Sequence, residues 1–436
     1  MLTKIYCLLL LLGMGCALRA ADEQQLALSL RAQSDFDRVA HASGQELPDA
    51  TRCEQSQAAW LTIAPAGDLT QAHFRKGYCA LAAALVTRQE EDFRAAAAEF
   101  DNALKTWPEH VSRTHNQAPE TLSTAVRLLA PIARLEAATA AGGADVPHPD
   151  LALLDQARHE ISSALDHPVC PASFLPAAAC DSVIRTGHLW LGWIALEKDD
   201  LYEASRDLSG QSSSAWAHWV SGKQGFRDRE YGAAAREYGK AAEIWKDAQQ
   251  DTSAALAERL APRPDLPLAF SDWGGAQMLS GDADSAIHTL DIAVKSAPNP
   301  ARALFLRARA EELAGRTEAA LADYSMASRT AFAHAENLAS GEAHLYRGIL
   351  LYRRKDYVHA ENEFASALNF EIPAALRPDA MAWRHMAAVT QGACSSDRAA
   401  LEESLAEVSP YFPKAEARTV AASCPLTTSA VTGGAI

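Results

Sequence analysis

The chain has 436 residues, 48% of them hydrophobic and 22% charged, with a formal net charge of −15. That balance excludes a disordered polyelectrolyte and fits a packed protein. The acidity argues against nucleic acid or anionic lipid as the main partner, and the length suits two or three ordinary domains or one long repeat array.

The N-terminus reads MLTKIYCLLLLLGMGCALRAAD. Lys4, the apolar run Ile5 to Met14 and the small-residue segment after it have the anatomy of a secretory signal peptide, too short to span a bilayer comfortably. Cleavage after Ala20 or Ala21 is expected, so residues 1–20 form the leader. Without Lys4 and Arg19 the mature chain lies near −17. Cys16 keeps a lipoprotein reading open beside simple secretion. Gly15 suits lipidation, whereas Gly13 stands where Leu is usual, and one acyl chain needs a second membrane signal to hold firmly. No later run is apolar over the ~18 residues of a membrane span, so a soluble mature chain without an integral span is expected.

Residues 25–88 show amphipathic helical runs without a recurring signature. The segment DFRAAAAEFDNALKTWP follows, with Phe93, Ala96, Phe100 and Ala103 at fixed spacing and Pro108 as an expected helix end. Residues 119–167 read as a helix pair interrupted by the loop GGADVPHP. From about residue 185 one pattern recurs. A Gly or Ala in one helix precedes an Ala in the next by twelve residues, and a large side chain and a further Ala follow four and seven residues later. The sets are Gly192, Ala204 and Leu208; Gly222, Ala234, Tyr238 and Ala241; Gly274, Ala286, Leu290 and Ala293; Ala308, Ala320, Tyr324 and Ala327; Gly348, Ala360, Phe364 and Ala367. Small residues permit two antiparallel helices to approach closely, and the large residue one turn on is expected to fill space toward the next pair. Gly281 and Gly315 permit a left-handed turn, and Pro298 ends a helix. One such hairpin cannot bury its apolar face alone, so the pairs must stack. The 52-residue step between Gly222 and Gly274 predicts a lengthened second helix and a Pro-rich loop. Residues 379–425 read as a degenerate C-terminal helical cap, and 426–436, LTTSAVTGGAI in context, as a disordered tail.

This spacing resembles the tetratricopeptide repeat family, whose period is about 34 residues. The resemblance implies an all-α, right-handed α-solenoid of stacked antiparallel helix pairs with divergent caps at both ends. Residues 21–180 would be divergent N-terminal repeats and cap, and 181–378 the repeat array. It further implies that the first helix of each pair lines a concave face. Its exposed positions would be three and six before, and one, four and five after, the aligned Gly or Ala. These positions give Trp216, Trp219, Lys223, Phe226 and Arg227 around Gly222. They give Arg302, Phe305, Arg309 and Glu312 around Ala308, and Glu342, Leu345, Ile349, Tyr352 and Arg353 around Gly348. Leu189, Trp193 and Leu196 surround Gly192. Aromatic and Arg side chains dominate interface energetics, and Arg grips carboxylates bidentately. The expected groove, formed by Trp216, Trp219, Lys223, Arg227, Arg302, Phe305, Arg309, Tyr352 and Arg353, takes a peptide, with an acidic side chain or free carboxylate in it. Packing of the same aromatics between repeats is the competing expectation.

Six cysteines follow the leader, an even number that in an exported chain reads as disulfides. Their clustering favours Cys53–Cys79, Cys170–Cys180 and Cys394–Cys424. No CxxC is present, so redox and zinc roles are not expected.

Catalytic signatures are missing: the sequence has no HExxH, GxSxG, GxxxxGK[ST] or GxGxxG. His167 and Cys170 offer two metal ligands at most. Asp282 and Asp284 lack the spaced acids of a calcium loop and suit a helix cap instead. Glu90, Glu91 and Asp92 read as a solvated turn before a helix, and His110 and His115 as loop residues without a third ligand. No catalytic residue, metal or cofactor is therefore expected. The reading is a non-catalytic protein-interaction scaffold in a bacterial periplasm or cell envelope. An envelope lipoprotein assisting complex assembly is the alternative, with a carbohydrate-binding protein, its tryptophans stacking on sugars, as a third.

Overall fold

A computed structural model describes residues 23–41, 49–113, 123–140, 150–171, 173–250, 259–394 and 397–424, with the side chains of 108–113 and 249–250 outside the description. The leader with Cys16, His110, His115, the loop GGADVPHP and the tail 426–436 all lie outside what is described. Regular structure among the described residues is entirely helical. The helices are α1 (23–40), α2 (Ala50–Leu61), α3 (Leu69–Thr87), α4 (Glu90–Arg113), α5 (Thr124–Ala140), α6 (Leu151–Leu165), α7 (Ala177–Glu197), α8 (Leu201–Asp207), α9 (Ala215–Arg227) and α10 (Tyr231–Gln250). They continue as α11 (Leu266–Leu279), α12 (Ala283–Ser296), α13 (Ala301–Leu313), α14 (Thr317–Ala333), α15 (Asn337–Arg353), α16 (Tyr357–Asn369), α17 (Arg377–Thr390), α18 (Asp397–Ser404) and α19 (Lys414–Ser423).

The chain divides into two compact units, Met1–Gln224 with Glu243–Pro264, and Gly225–Ala242 with Asp265–Ile436. In the first, α2 to α8 pack in succession and α5 also meets α7. In the second, α11 to α17 pack in succession, and alternate helices α11, α13, α15 and α17 also touch in a row. Contacts between successive helices and between every second helix are those of stacked hairpins. The fold is an all-α solenoid, as the spacing predicts.

The recurring small residues are buried where the helices cross. Ala204, Ala234, Ala286, Ala320 and Ala360 are all fully buried. One detail differs from expectation. The large residue four positions on packs directly on the glycine of its own pair, not toward the next. A Cβ on Gly192 would stand 2.5 Å from Leu208 Cγ, one on Gly274 2.5 Å from Leu290 Cγ, and one on Gly348 2.7 Å from Phe364 Cε1. The glycine is the socket and the large residue the knob.

The same contact exists earlier in the chain, where no first half is apparent in the sequence. A Cβ on Gly77 of α3 would lie 3.0 Å from Phe100 of α4. Here nineteen residues, not twelve, separate the glycine from Ala96. The extra seven add about two helical turns and so preserve the buried face while breaking the spacing. Phe74, Tyr78, Phe100 and Phe174 form the core around it. Pro108 does not end α4, which continues to Arg113. Proline costs a backbone hydrogen bond but does not forbid continuation; Pro131 likewise sits inside α5. Glu90, Glu91 and Asp92 form the first turn of α4, not a preceding turn, where they complement the helix dipole.

Each interhelix turn has one construction. A left-handed residue stands five before the second-helix Ala: Asp199, Arg229, Gly281, Gly315 and Lys355. The next amide donates to a carbonyl five residues back, as Asp282 N to Gln277 O (3.0 Å), Arg316 N to Glu311 O (2.8 Å) and Asp356 N to Leu351 O (3.0 Å). Asp200, Asp282 and Asp356 then cap the second helix. Non-glycine residues at three of these turns show that the αL cost of about 1 kcal/mol is met by packing.

The cysteines pair as their clustering predicts: Cys53–Cys79 links α2 to α3, Cys170–Cys180 ties the preceding loop to α7, and Cys394–Cys424 joins the ends of α17 and α19. The last bridge closes a loop of sequence separation 30. Replacing Cys394 and Cys424 by Ser is expected to lower stability by about 2–4 kcal/mol. Thermal melting of this variant against the oxidised parent checks it, and equal melting temperatures would refute a structural role.

Candidate functional site

Arg302, Phe305 and Arg309 project from α13, and Tyr352 and Arg353 from the end of α15. Arg302 donates to Asp272 of α11 at 2.6 Å, and Arg353 donates to Glu312 of α13 at 2.6 Å. The Tyr324 hydroxyl donates to the other oxygen of Glu312 at 3.1 Å. Two of the four groove arginines thus already hold carboxylates of their own chain.

Arg309 does not. It makes no ion pair among the described residues, and its guanidinium lies 4.3 Å from the centroid of the Tyr346 ring. Its Nε is buried without a hydrogen-bond partner. Phe305 packs edge-on to Tyr346 at 5.5 Å, and Tyr346 stacks near Tyr324 at 6.4 Å. A ring face attracts a guanidinium without taking up its N–H donors, which remain open to an anion. The equivalent position on α11 is Gly275, where a Cβ would meet only Leu306 of α13, at 3.8 Å. Leu279 and Leu313, at the ends of α11 and α13, are 45% and 60% exposed. On α13, Arg309 therefore lacks a carboxylate partner, and α11 and α13 carry uncovered apolar side chains.

Tyr346 and Leu306 are absent from the sequence-based groove. Both stand two before the aligned Ala or Gly, and each meets the residue one after the aligned position of the preceding pair. That pairing runs between repeats, so no single repeat displays it.

Tyr352 departs from the expected groove. It is 6% exposed, packs edge-on to Trp383 at 5.2 Å and Tyr357 at 5.1 Å, and belongs to the core of the last helices. Trp216 and Trp219 depart in the same way. Both are buried in the first unit against Trp245, at 4.9 and 5.5 Å. Their large apolar faces are worth more inside than on a wet surface. Trp190 and Trp193 are buried too, so none of these four offers an open face to a sugar ring. Lys223 places its ammonium 5.5 Å from the Trp219 ring centroid. Arg227 is exposed in the last turn of α9.

Away from this face, burial shifts two carboxyls. Glu136 on α5, with Arg88 Nη1 3.4 Å from one oxygen, is pushed up to about 8. Glu311 on α13 is pushed up to about 7 by burial and by nearby Asp323, against the lowering influence of Arg307 and Arg316. Among the described residues no three His, Cys, Asp or Glu side chains gather as a metal site, and no helix is long and apolar enough to cross a membrane.

No family model and no curated protein matches this chain. Among solved structures it is similar to a tetratricopeptide repeat protein from Parabacteroides merdae, at 13% identity over 63% of this chain and 94% of that one, TM-score 0.38. It is similar also to the C-terminal part of a TPR repeat-containing protein from Cytophaga hutchinsonii, at 16% identity over 64% and 95%, TM-score 0.38. Yeast Tom70 matches at 12% identity over 92% and 95%, TM-score 0.39. The stacked helix pairs, and not these scores, establish the solenoid.

Proposed function

We propose that the protein is a non-catalytic interaction scaffold of an exported compartment, and that the face of α11, α13 and α15 binds an extended peptide through Arg309. The observation that carries this is the guanidinium held on Tyr346 without a carboxylate of its own, while Arg302 and Arg353 have theirs. A carboxylate of the partner would take the fork of Arg309, and its apolar side chains would cover Leu279, Leu306 and Leu313. Three disulfides support an oxidising location, with residues 1–20 removed on export and Cys16 as the alternative lipid attachment point.

The test compares the mature chain with its Arg309→Ala variant in affinity capture from the native cell envelope. Synthetic peptides of the captured protein, with free and amidated carboxylates, then give affinities. Arg309→Ala is expected to weaken binding about ten- to a hundred-fold with unchanged melting temperature. Equal binding by both proteins would remove this site from the account.

A further inference from the structure

Arg309 is unpaired although a carboxylate of its own helix stands within reach. Glu312 lies three residues on along α13, the spacing at which side chains on one helix face meet. Its side chain is only 17% exposed. Away from bulk water, a carboxylate and a guanidinium attract more strongly than on an open surface.

Two other helices hold Glu312 instead. Its Oε1 accepts from Arg353 Nη1 of α15 at 2.6 Å, and its Oε2 accepts from the Tyr324 hydroxyl of α14 at 3.1 Å. Tyr324 is fully buried against Phe305 and Tyr346, so its hydroxyl is a fixed anchor. Both opposed charges act on that hydroxyl: burial raises its pKa most, Glu312 raises it further, and Arg309 lowers it. Arg353 is different. It is a long side chain at the last position of α15, 60% exposed, and is the one cation paired with Glu312 among the described residues. Without its donor, one oxygen of Glu312 loses its partner. The buried Nε–H of Arg309 has no acceptor. A donor and an acceptor left unsatisfied on the same helix face would satisfy each other.

We propose that Arg353 is a positioning residue for the Arg309 site: by holding Glu312 it keeps that carboxylate off the Arg309 guanidinium, and the site is open to a partner only while the Arg353–Glu312 pair is intact. This inference rests on the peptide-binding reading given above and says how its cation is kept free. Glu312 is then a poised internal competitor. Its tether gives it an effective concentration that a free peptide carboxylate must overcome.

The test uses the full mature chain with isotope-labelled arginine. The Arg309 Nε–H resonance is assigned by its loss in Arg309→Ala. Without ligand, Arg353→Met is expected to shift this resonance and slow its exchange with solvent, because Glu312 now accepts from it. In the Glu312→Gln background the same substitution should move it little. The binding probe is the acetylated and amidated peptide LSELSL, with LSQLSL as control. Arg353→Met is expected to weaken LSELSL about three- to ten-fold, but less than about two-fold in the Glu312→Gln background. A general loss of stability would not depend on residue 312 in this way. Equal weakening in both backgrounds would show that Arg353 acts on the ligand itself and would overturn the proposal. So would an Arg309 resonance that Arg353→Met leaves in place. If Arg309→Ala binds LSELSL as the parent does, the peptide site itself fails and the gating role with it, while the resonance separately reports whether Glu312 reaches Arg309.

Discussion

Gly274→Val is expected to destabilise the protein by about 2–4 kcal/mol, whereas Gly275→Ala, one residue along, should be neutral or stabilising by up to about 1 kcal/mol. The difference is geometric. A Cβ at 274 falls 2.5 Å from Leu290 Cγ and 2.9 Å from Cδ2, distances that force α11 and α12 apart. A Cβ at 275 has only Leu306 nearby, at 3.8 Å, and gains helix propensity. Leu290→Ala should relieve part of the Gly274→Val penalty, so the double variant is expected to be non-additive. Denaturant unfolding of the parent, the three single variants and the double variant measures this. Comparable losses at 274 and 275 would show that the helix crossing does not demand glycine.

Glu136→Gln should raise stability at pH 9 by about 3 kcal/mol and change it little at pH 5. Burial lifts the folded carboxyl to about 8, from an ordinary value near 4.5 in the unfolded chain. Between those values the native state binds the extra proton, so stability falls as pH rises through that window and stays low above it. Glutamine has no proton to lose and escapes the fall. The full shift would correspond to nearly 5 kcal/mol; Arg88, 3.4 Å away, offsets part of it once the carboxylate forms. One carboxyl oxygen has no partner at all, which adds to the cost of ionisation. Glu311→Gln is expected to act in the same direction with about 1 kcal/mol, because Arg307 and Arg316 already favour its charged form. Melting temperatures of each variant and the parent from pH 5 to 9 would decide. Parallel pH profiles for parent and Glu136→Gln would exclude the assignment.

The helix pairs were legible because their determinants are local and repeated. A glycine, an alanine twelve residues on and a large residue four further must fall on facing surfaces of two helices joined by a five-residue-scale turn. The small residues of the five sets are buried, and Gly192, Gly274 and Gly348 each meet the large residue of their own pair. The α3–α4 pair is not apparent from spacing because each of its helices runs about one turn further from the crossing before the chain reverses at Arg88, which leaves the contact of Gly77 with Phe100 intact while lengthening the interval from glycine to alanine from twelve to nineteen. The left-handed turns at Asp199, Arg229 and Lys355 were hidden for another reason: glycine announces such a turn, whereas packing can impose it on any residue.

The groove was less legible. Position rules place Arg302, Arg309 and Arg353 on one face, yet they do not say which cation is already paired. Asp272 and Glu312 satisfy two of them from neighbouring helices, and only Arg309 rests on an aromatic ring instead. The same rules place Trp216, Trp219 and Tyr352 among exposed positions, but all three are buried.

What the sequence by itself determined is the solenoid and its disulfides: spacing along one chain dictates which faces of adjacent helices can touch, and which cysteines lie near each other. Only the tertiary structure decided which charged and aromatic side chains remain available. That depends on partners from the next helix pair. Pairing energy between side chains distant in sequence leaves no periodic trace, because it selects for complementarity at one contact rather than for a residue type at a fixed interval.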